Sequence, residues 1–114
     1  MNLQAERHGN CLVVSVGEPR IDAAAAVDFK DGMRELIAEA DQRVILDLDQ
    51  VDSIDSSGLG AIVAVMKVLG SDRKLELSNL SAKVRTVFRL TRMDAVMTIH
   101  DAVETALADA SPAS

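Results

Sequence analysis

The run Arg43-Val44-Ile45-Leu46-Asp47-Leu48-Asp49 constrains the fold more than any other segment. It is short, rich in branched aliphatics and nearly continuous in its hydrophobicity, the pattern of a central strand buried in a parallel sheet. Such a strand needs helices to cover it, and crossover helices between parallel strands supply them.

The flanking sequence has the matching parts. Residues 2–7 and 11–17 read as two strands joined at His8-Gly9-Asn10, where Gly and Asn tolerate the positive φ of a tight hairpin. Glu18-Pro19-Arg20-Ile21-Asp22 reads as a connection. Asp22 suits the N-cap of a first helix whose apolar residues recur at Ala26, Phe29, Met33, Leu36 or Ile37, and Ala40. After the buried run a second helix is predicted from near Ser57 to Gly70, a suitable residue beyond a helix end. A strand over 74–78, a helix from Ala82 to Arg92, a short strand from Val96 to His100 and a helix over 101–110 complete the order β-β-α-β-α-β-α-β-α. With right-handed crossovers, this order predicts one α/β domain over 1–110. Its sheet is expected to be mixed but mostly parallel, with four to five strands, about four helices and an antiparallel N-terminal edge hairpin. Residues 111–114 are expected to form a flexible tail.

The chain has 114 residues, of which 48% are apolar, enough for one core. That core is aliphatic, because Phe29 and Phe88 are the only aromatic residues, and no platform exists for stacking bases. The formal net charge of −6 disfavours phosphate backbones and anionic lipid surfaces as partners. Cys11, the single cysteine, lies in the apolar run Cys11-Leu12-Val13-Val14 and reads as a buried small hydrophobe. It supports neither a disulfide nor a thiolate metal site. The first residues lack the basic-then-apolar order of a signal peptide, and no apolar run approaches the roughly 20 residues of a membrane span. A cytoplasmic protein, without membrane insertion and without a cofactor or metal, is the expectation.

Function concentrates in residues 44–60, where the buried run leads through small polar residues into a helix start. Loops leaving the carboxyl end of a strand are where open α/β sheets place their sites. Free N–H groups of Gly58 and Leu59 are expected to face Ser56, and the positive end of the helix dipole would stabilise an anion there. On local chemistry alone, Asp55-Ser56-Ser57-Gly58 also reads simply as a helix cap.

Asp55-Ser56-Ser57-Gly58-Leu59-Gly60, preceded by Leu46-Asp47-Leu48 and by Val51-x-x-Ile54, resembles the signature of the STAS domain, which sulfate transporters and anti-sigma factor antagonists share. Arg20-Ile21-Asp22-Ala23 is similar to the loop before that family's first helix. The resemblance implies a non-enzymatic bacterial signalling protein that regulates transcription by partner switching. Ser56 would accept phosphate from a serine kinase that is also the anti-sigma factor, and phosphorylation would release that partner. A serine phosphatase would restore the unmodified form. Asp22, Asp55, Ser57, Gly58 and Leu59 would make up the surroundings of the phosphosite. Other STAS domains serve as scaffold subunits of different signalling or lipid-transport complexes.

The helix over 57–69 carries one charged residue, Lys67, and is apolar on two sides. Leu59, Ile62, Val63 and Met66 are expected to face the sheet. Gly60, Ala61, Ala64, Val65 and Val68 would then form an outer stripe, either covered by another part of the chain or offered to a partner.

Two enzymatic readings compete. Asp47 and Asp49, after an apolar strand, match the Asp-x-Asp-x-Val of Mg-dependent aspartyl phosphohydrolases, with Asp47 as nucleophile and Asp49 as acid. In this chain the motif lies mid-sequence rather than at the start. A serine hydrolase lacks its Gly-x-Ser-x-Gly elbow. His8 in the hairpin and His100 at the end of the last strand read as structural or solvent-exposed residues. Arg85, Arg89 and Arg92 read as a solvated helix face, and Met93 and Met97 as core fillers.

Overall fold

The computed structural model describes residues 1–38 and 42–109. Strand β1 (Leu3–His8) turns through Gly9, at φ +61°, into β2 (Cys11–Val16), and the two pair antiparallel with His8 opposite Cys11. Beyond the hairpin every pairing is parallel. The main sheet runs β1, β2, β4 (Arg43–Asp47), β6 (Lys74–Ser78) and β7 (Thr98–His100), with β4 at its centre. The mixed five-stranded sheet and the α/β class agree with the sequence reading.

Alternate residues of the central strands face opposite layers. Leu12, Val14, Val44, Leu46, Leu75 and Leu77 join the main core under α1 (Ala23–Ile37), α2 (Ser56–Leu69) and α3 (Ala82–Leu90). Phe29, Met33 and Ile37 from α1, with Val84 and Phe88 from α3, fill that core, as their spacing requires. The other face presents Cys11, Val13 and Ile45, which are covered by α4 (Val103–Ala108) through Ala106.

That second face also buries charge. Arg43 on β4 forms a double hydrogen bond with Glu76 on β6, Nε to Oε2 and Nη2 to Oε1, both at 2.7 Å. His100 on β7 places Nε2 2.7 Å from Glu76 Oε1. Burial alone pushes the Glu76 carboxyl up, but the hydrogen bonds from Arg43 and His100 outweigh it and hold the group below its ordinary range. The bond to Glu76 holds the Arg43 guanidinium above its ordinary value, against desolvation. Among the described residues no buried side-chain polar atom lacks a partner, so this network satisfies the condition that makes a buried ion pair tolerable.

The structure departs from the sequence reading in several places. Residues read as plain connection contain two short strands, β3 (Arg20–Ile21) and β5 (Ser53–Ile54), which pair parallel as a separate two-stranded sheet. The third helix stops at Leu90 instead of Arg92, because Thr91 caps it and Arg92 adopts φ +60°. Residues Met93–Ala95 form a single 3-10 turn, so the last strand starts at Thr98 and not at Val96. His100, read as structural or solvent-exposed, takes the structural role: it is buried beside Glu76. Ala40 and residues 110–114 lie outside the described residues. Among the described residues no helix is long and apolar enough to cross a membrane.

Glu76→Ala should cost about 3–5 kcal/mol in urea unfolding, since it strands a buried guanidinium. The Glu76 contribution to stability is fully present above the group's ordinary value of 4.5 and is lost as the pH falls through its lower folded value. Wild type should therefore lose stability on acidification faster than Glu76→Gln, as read from urea midpoints across that range.

Candidate functional site

The pairing of β3 with β5 builds the site. Arg20 lies opposite Ser53 and Ile21 opposite Ile54, so the next residue on each strand, Asp22 and Asp55, stands at the start of a helix beside the other. Asp22 Oδ1 accepts from Ala25 N at 3.2 Å and caps α1. Asp55 Oδ1 accepts from Gly58 N at 2.9 Å and caps α2. The second oxygen of Asp55 accepts from Ala23 N at 3.2 Å, so one carboxylate holds the N-termini of two helices together. Pro19 O receives Asp52 N at 2.7 Å, which fixes the β5 loop to the strand beside it.

Gly58 permits this approach. A Cβ at Gly58 would fall inside van der Waals contact with the Ile21 carbonyl oxygen, which belongs to the backbone and cannot swing away. Gly58 is thus a packing requirement of the strand-to-helix junction, and its place in the motif has a steric cause.

Ser56 is the first residue of α2 and Ser57 the second, and both are exposed. The expected N–H donors are not free: Gly58 N is taken by the Asp55 side chain and Leu59 N by the Asp55 carbonyl at 2.9 Å. The residue that caps a helix start uses those donors for itself, as the cap reading of Asp55-Ser56-Ser57-Gly58 requires. What remains for Ser56 is the favourable field of two adjacent helix N-termini, set against the carboxylates of Asp22, Asp55 and the exposed Asp52. Arg20 lies 3.8 Å from Asp22 and offsets part of that negative charge.

The outer stripe of α2 also needs correction. Ala61 and Val65 are buried, at 3% and 2% exposure, while Gly60 is exposed, Ala64 half-buried and Val68 44% exposed. Leu59, Val63 and Met66, expected to face the sheet, are only half-buried; Ile62 is buried as expected, along with Leu69. The helix is rotated by about one residue's turn, ~100°, from the orientation inferred. Its sequence is apolar all round and carries little rotational information; α1 packs along it, and Ala61 and Val65 belong to the core that the helices share with the sheet. The outward line therefore runs Ser56, Gly60, Ala64, Lys67 and Val68, and on α1 Ala23, Ala24 and Val27 are exposed as well. Val27 falls outside the buried stripe of α1, which is the signal that could have marked it.

Asp47 is occupied in other ways. Its Oδ1 accepts from Asn79 Nδ2 at 3.0 Å and from Asp49 N at 3.1 Å, and its Oδ2 lies 3.5 Å from Ser15 Oγ. These bonds make it the organiser of the turns after β4 and β6. His8 is exposed and lies 2.8 Å from Glu6. Arg85 reaches Asp101 at 3.5 Å on the surface.

The family model described as STAS domain matches residues 2–106. The anti-sigma-B factor antagonist of Staphylococcus epidermidis is 24% identical over 105 residues, 91% of this chain and 96% of that protein. The crystal structure of an anti-sigma factor antagonist from Mycobacterium paratuberculosis superposes with a TM-score of 0.84 at 24% identity, covering 93% of this chain and 90% of the other. The Bacillus cell fate determinant SpoIIAA in its phosphorylated form superposes with a TM-score of 0.66 at 23% identity, over 93% and 96% of the two chains.

Removing the two-helix cap with Asp55→Ala should cost about 1–2 kcal/mol for the α2 cap and more for the tie to α1, read as a lower urea midpoint. Gly58→Ala should destabilise by about 1–3 kcal/mol through overpacking, and should shift the backbone amide signals of Ile21 and Asp55 in NMR spectra. An unshifted Ile21 in a fully stable Gly58→Ala protein would contradict the steric account.

Proposed function

Because the chain belongs to the STAS domain family, we propose that it is an anti-sigma factor antagonist that works as a phosphorylation-controlled partner switch. The unphosphorylated form binds a serine-kinase anti-sigma factor in the cytoplasm, the kinase transfers phosphate to Ser56, and the modified protein is released until a serine phosphatase resets it. In this reading the protein is a regulator of transcription and not itself a catalyst.

The observation that carries the reading is the placement of Ser56. Its hydroxyl is exposed on the first residue of α2, at one end of the surface line Gly60, Ala64 and Val68, so a partner lying on that line also covers the serine. A phosphate there adds about −1.5 to −2 charges beside Asp22, Asp52 and Asp55. The two helix N-termini lower the cost of placing that charge on this protein. A docked partner surface would have to accept it without such help. The names of the relatives agree with the reading, since those matched along nearly their whole length are antagonists of anti-sigma factors. Ala61 and Val65 contribute through packing and not through contact.

Incubation with the cognate kinase and ATP should add one phosphate by intact-mass analysis. The phosphate should be lost in Ser56→Ala and kept in Ser57→Ala. Ala64→Glu should weaken kinase binding at least tenfold, about 1.4 kcal/mol, in a pull-down or titration, with the urea midpoint little changed because the side chain reaches solvent. If neither serine takes phosphate and Ser56→Asp binds each identified partner as wild type does, the protein is instead a constitutive scaffold.

A further inference from the structure

Helix α4 is held in a way unlike the other three. It has six residues, well below the roughly 12–15 at which an isolated helix becomes even marginally stable. Its N-cap position is Ala102, which offers no side-chain hydrogen bond. Ala106 is its one fully buried residue, while Val103 and Leu107 are half-buried against Cys11, Val13 and Ile45. One flank opens onto a cleft of about 490 Å³ between α4 and β1, lined in part by Gln4, His8, Val13, Val103 and Leu107. What secures the helix is a cation at its C-terminal end. Arg43 Nη2 donates to Ala106 O and Nη1 to Asp109 O, both at 2.9 Å, where the helix dipole favours positive charge.

Arg43 is independently fixed to the sheet by its double bond to Glu76, which His100 also holds. The holding group therefore stays in place whether or not α4 is docked. We propose that α4 is a latched cover that swings off the second face of the sheet while the rest of the domain remains folded, with Arg43 as the latch. Opening breaks the two bonds to the Ala106 and Asp109 carbonyls, passes those donors to water, and uncovers Cys11, Val13 and Ile45. The β4, β6 and β7 charge network and the whole core under α1, α2 and α3 are left intact. Openings of this kind have free energies between zero and that of global unfolding, and a short helix with an open flank belongs at the low end. The motion concerns the face of the sheet opposite α2, so it stands apart from the Ser56 switch.

Cys11 is the single cysteine, is 3% exposed and lies beneath the cover, so the full-length protein carries its own reporter. Its labelling rate with 5,5′-dithiobis(2-nitrobenzoic acid) is followed at increasing urea below the unfolding transition. A local opening predicts a urea dependence much shallower than that of global unfolding, because little surface is exposed. Leu107→Ala should speed labelling on the order of tenfold by removing part of the cover's apolar contact. Val84→Ala, buried in the opposite layer, should lower the urea midpoint yet leave the labelling rate in water unchanged. The proposal is overturned if labelling follows the urea dependence of global unfolding, if Leu107→Ala leaves the rate unaltered, or if Val84→Ala accelerates labelling in proportion to its loss of stability.

Discussion

The Asp55 carboxylate is the contact on which the site depends. With one oxygen on Gly58 N and the other on Ala23 N, it joins two helix starts that the chain separates by more than thirty residues. The parallel pair of Ile21 with Ile54 brings the strands close enough for that bond, and the missing side chain at Gly58 leaves room for the Ile21 carbonyl. Each part depends on the others. A residue larger than Gly at 58 would separate the strand from the helix, and a residue that cannot accept two hydrogen bonds at 55 would leave either Gly58 N or Ala23 N without its partner. Ser56 is presented to solvent at a fixed place because Asp55 before it and Gly58 after it are so tightly engaged.

Much of this was legible in the sequence. The hairpin at Gly9 and the cap at Asp22 follow from local rules and stand where the rules put them, and the run at 43–49 forms the central strand, which ends at Asp47. The parallel order of the sheet follows from alternating strands and helices. The β3 and β5 pair was not legible, because two residues of strand carry no periodicity and their pairing is a long-range event. The orientation of α2 was misread because a helix with apolar residues on every side has no polar face to mark what points outward. Which of its two expected roles, structural or solvent-exposed, His100 would take was not legible for a related reason. Its partners Glu76 and Arg43 come from separate strands, and charged residues in short strands read as edge or surface residues until the register is known.

The molecule keeps its two kinds of charge on opposite sides of the sheet. Arg43, Glu76 and His100 form a closed set beneath α4, with every donor and acceptor assigned among described residues. Asp22 and Asp55 instead stand at two paired helix starts, next to the exposed Ser56. The first arrangement ties β4, β6 and β7 together, and the second leaves Ser56 open to solvent.

The central claim is that phosphate on Ser56 controls docking along α2. Its most direct measurement is the affinity of the cognate serine-kinase anti-sigma factor for the unmodified protein and for the protein phosphorylated at Ser56, titrated calorimetrically at the same ionic strength. The account predicts that the phosphate weakens binding by about a hundredfold, or ~2.8 kcal/mol, with little change in the thermal stability of the domain. Equal affinities for the two forms would contradict it.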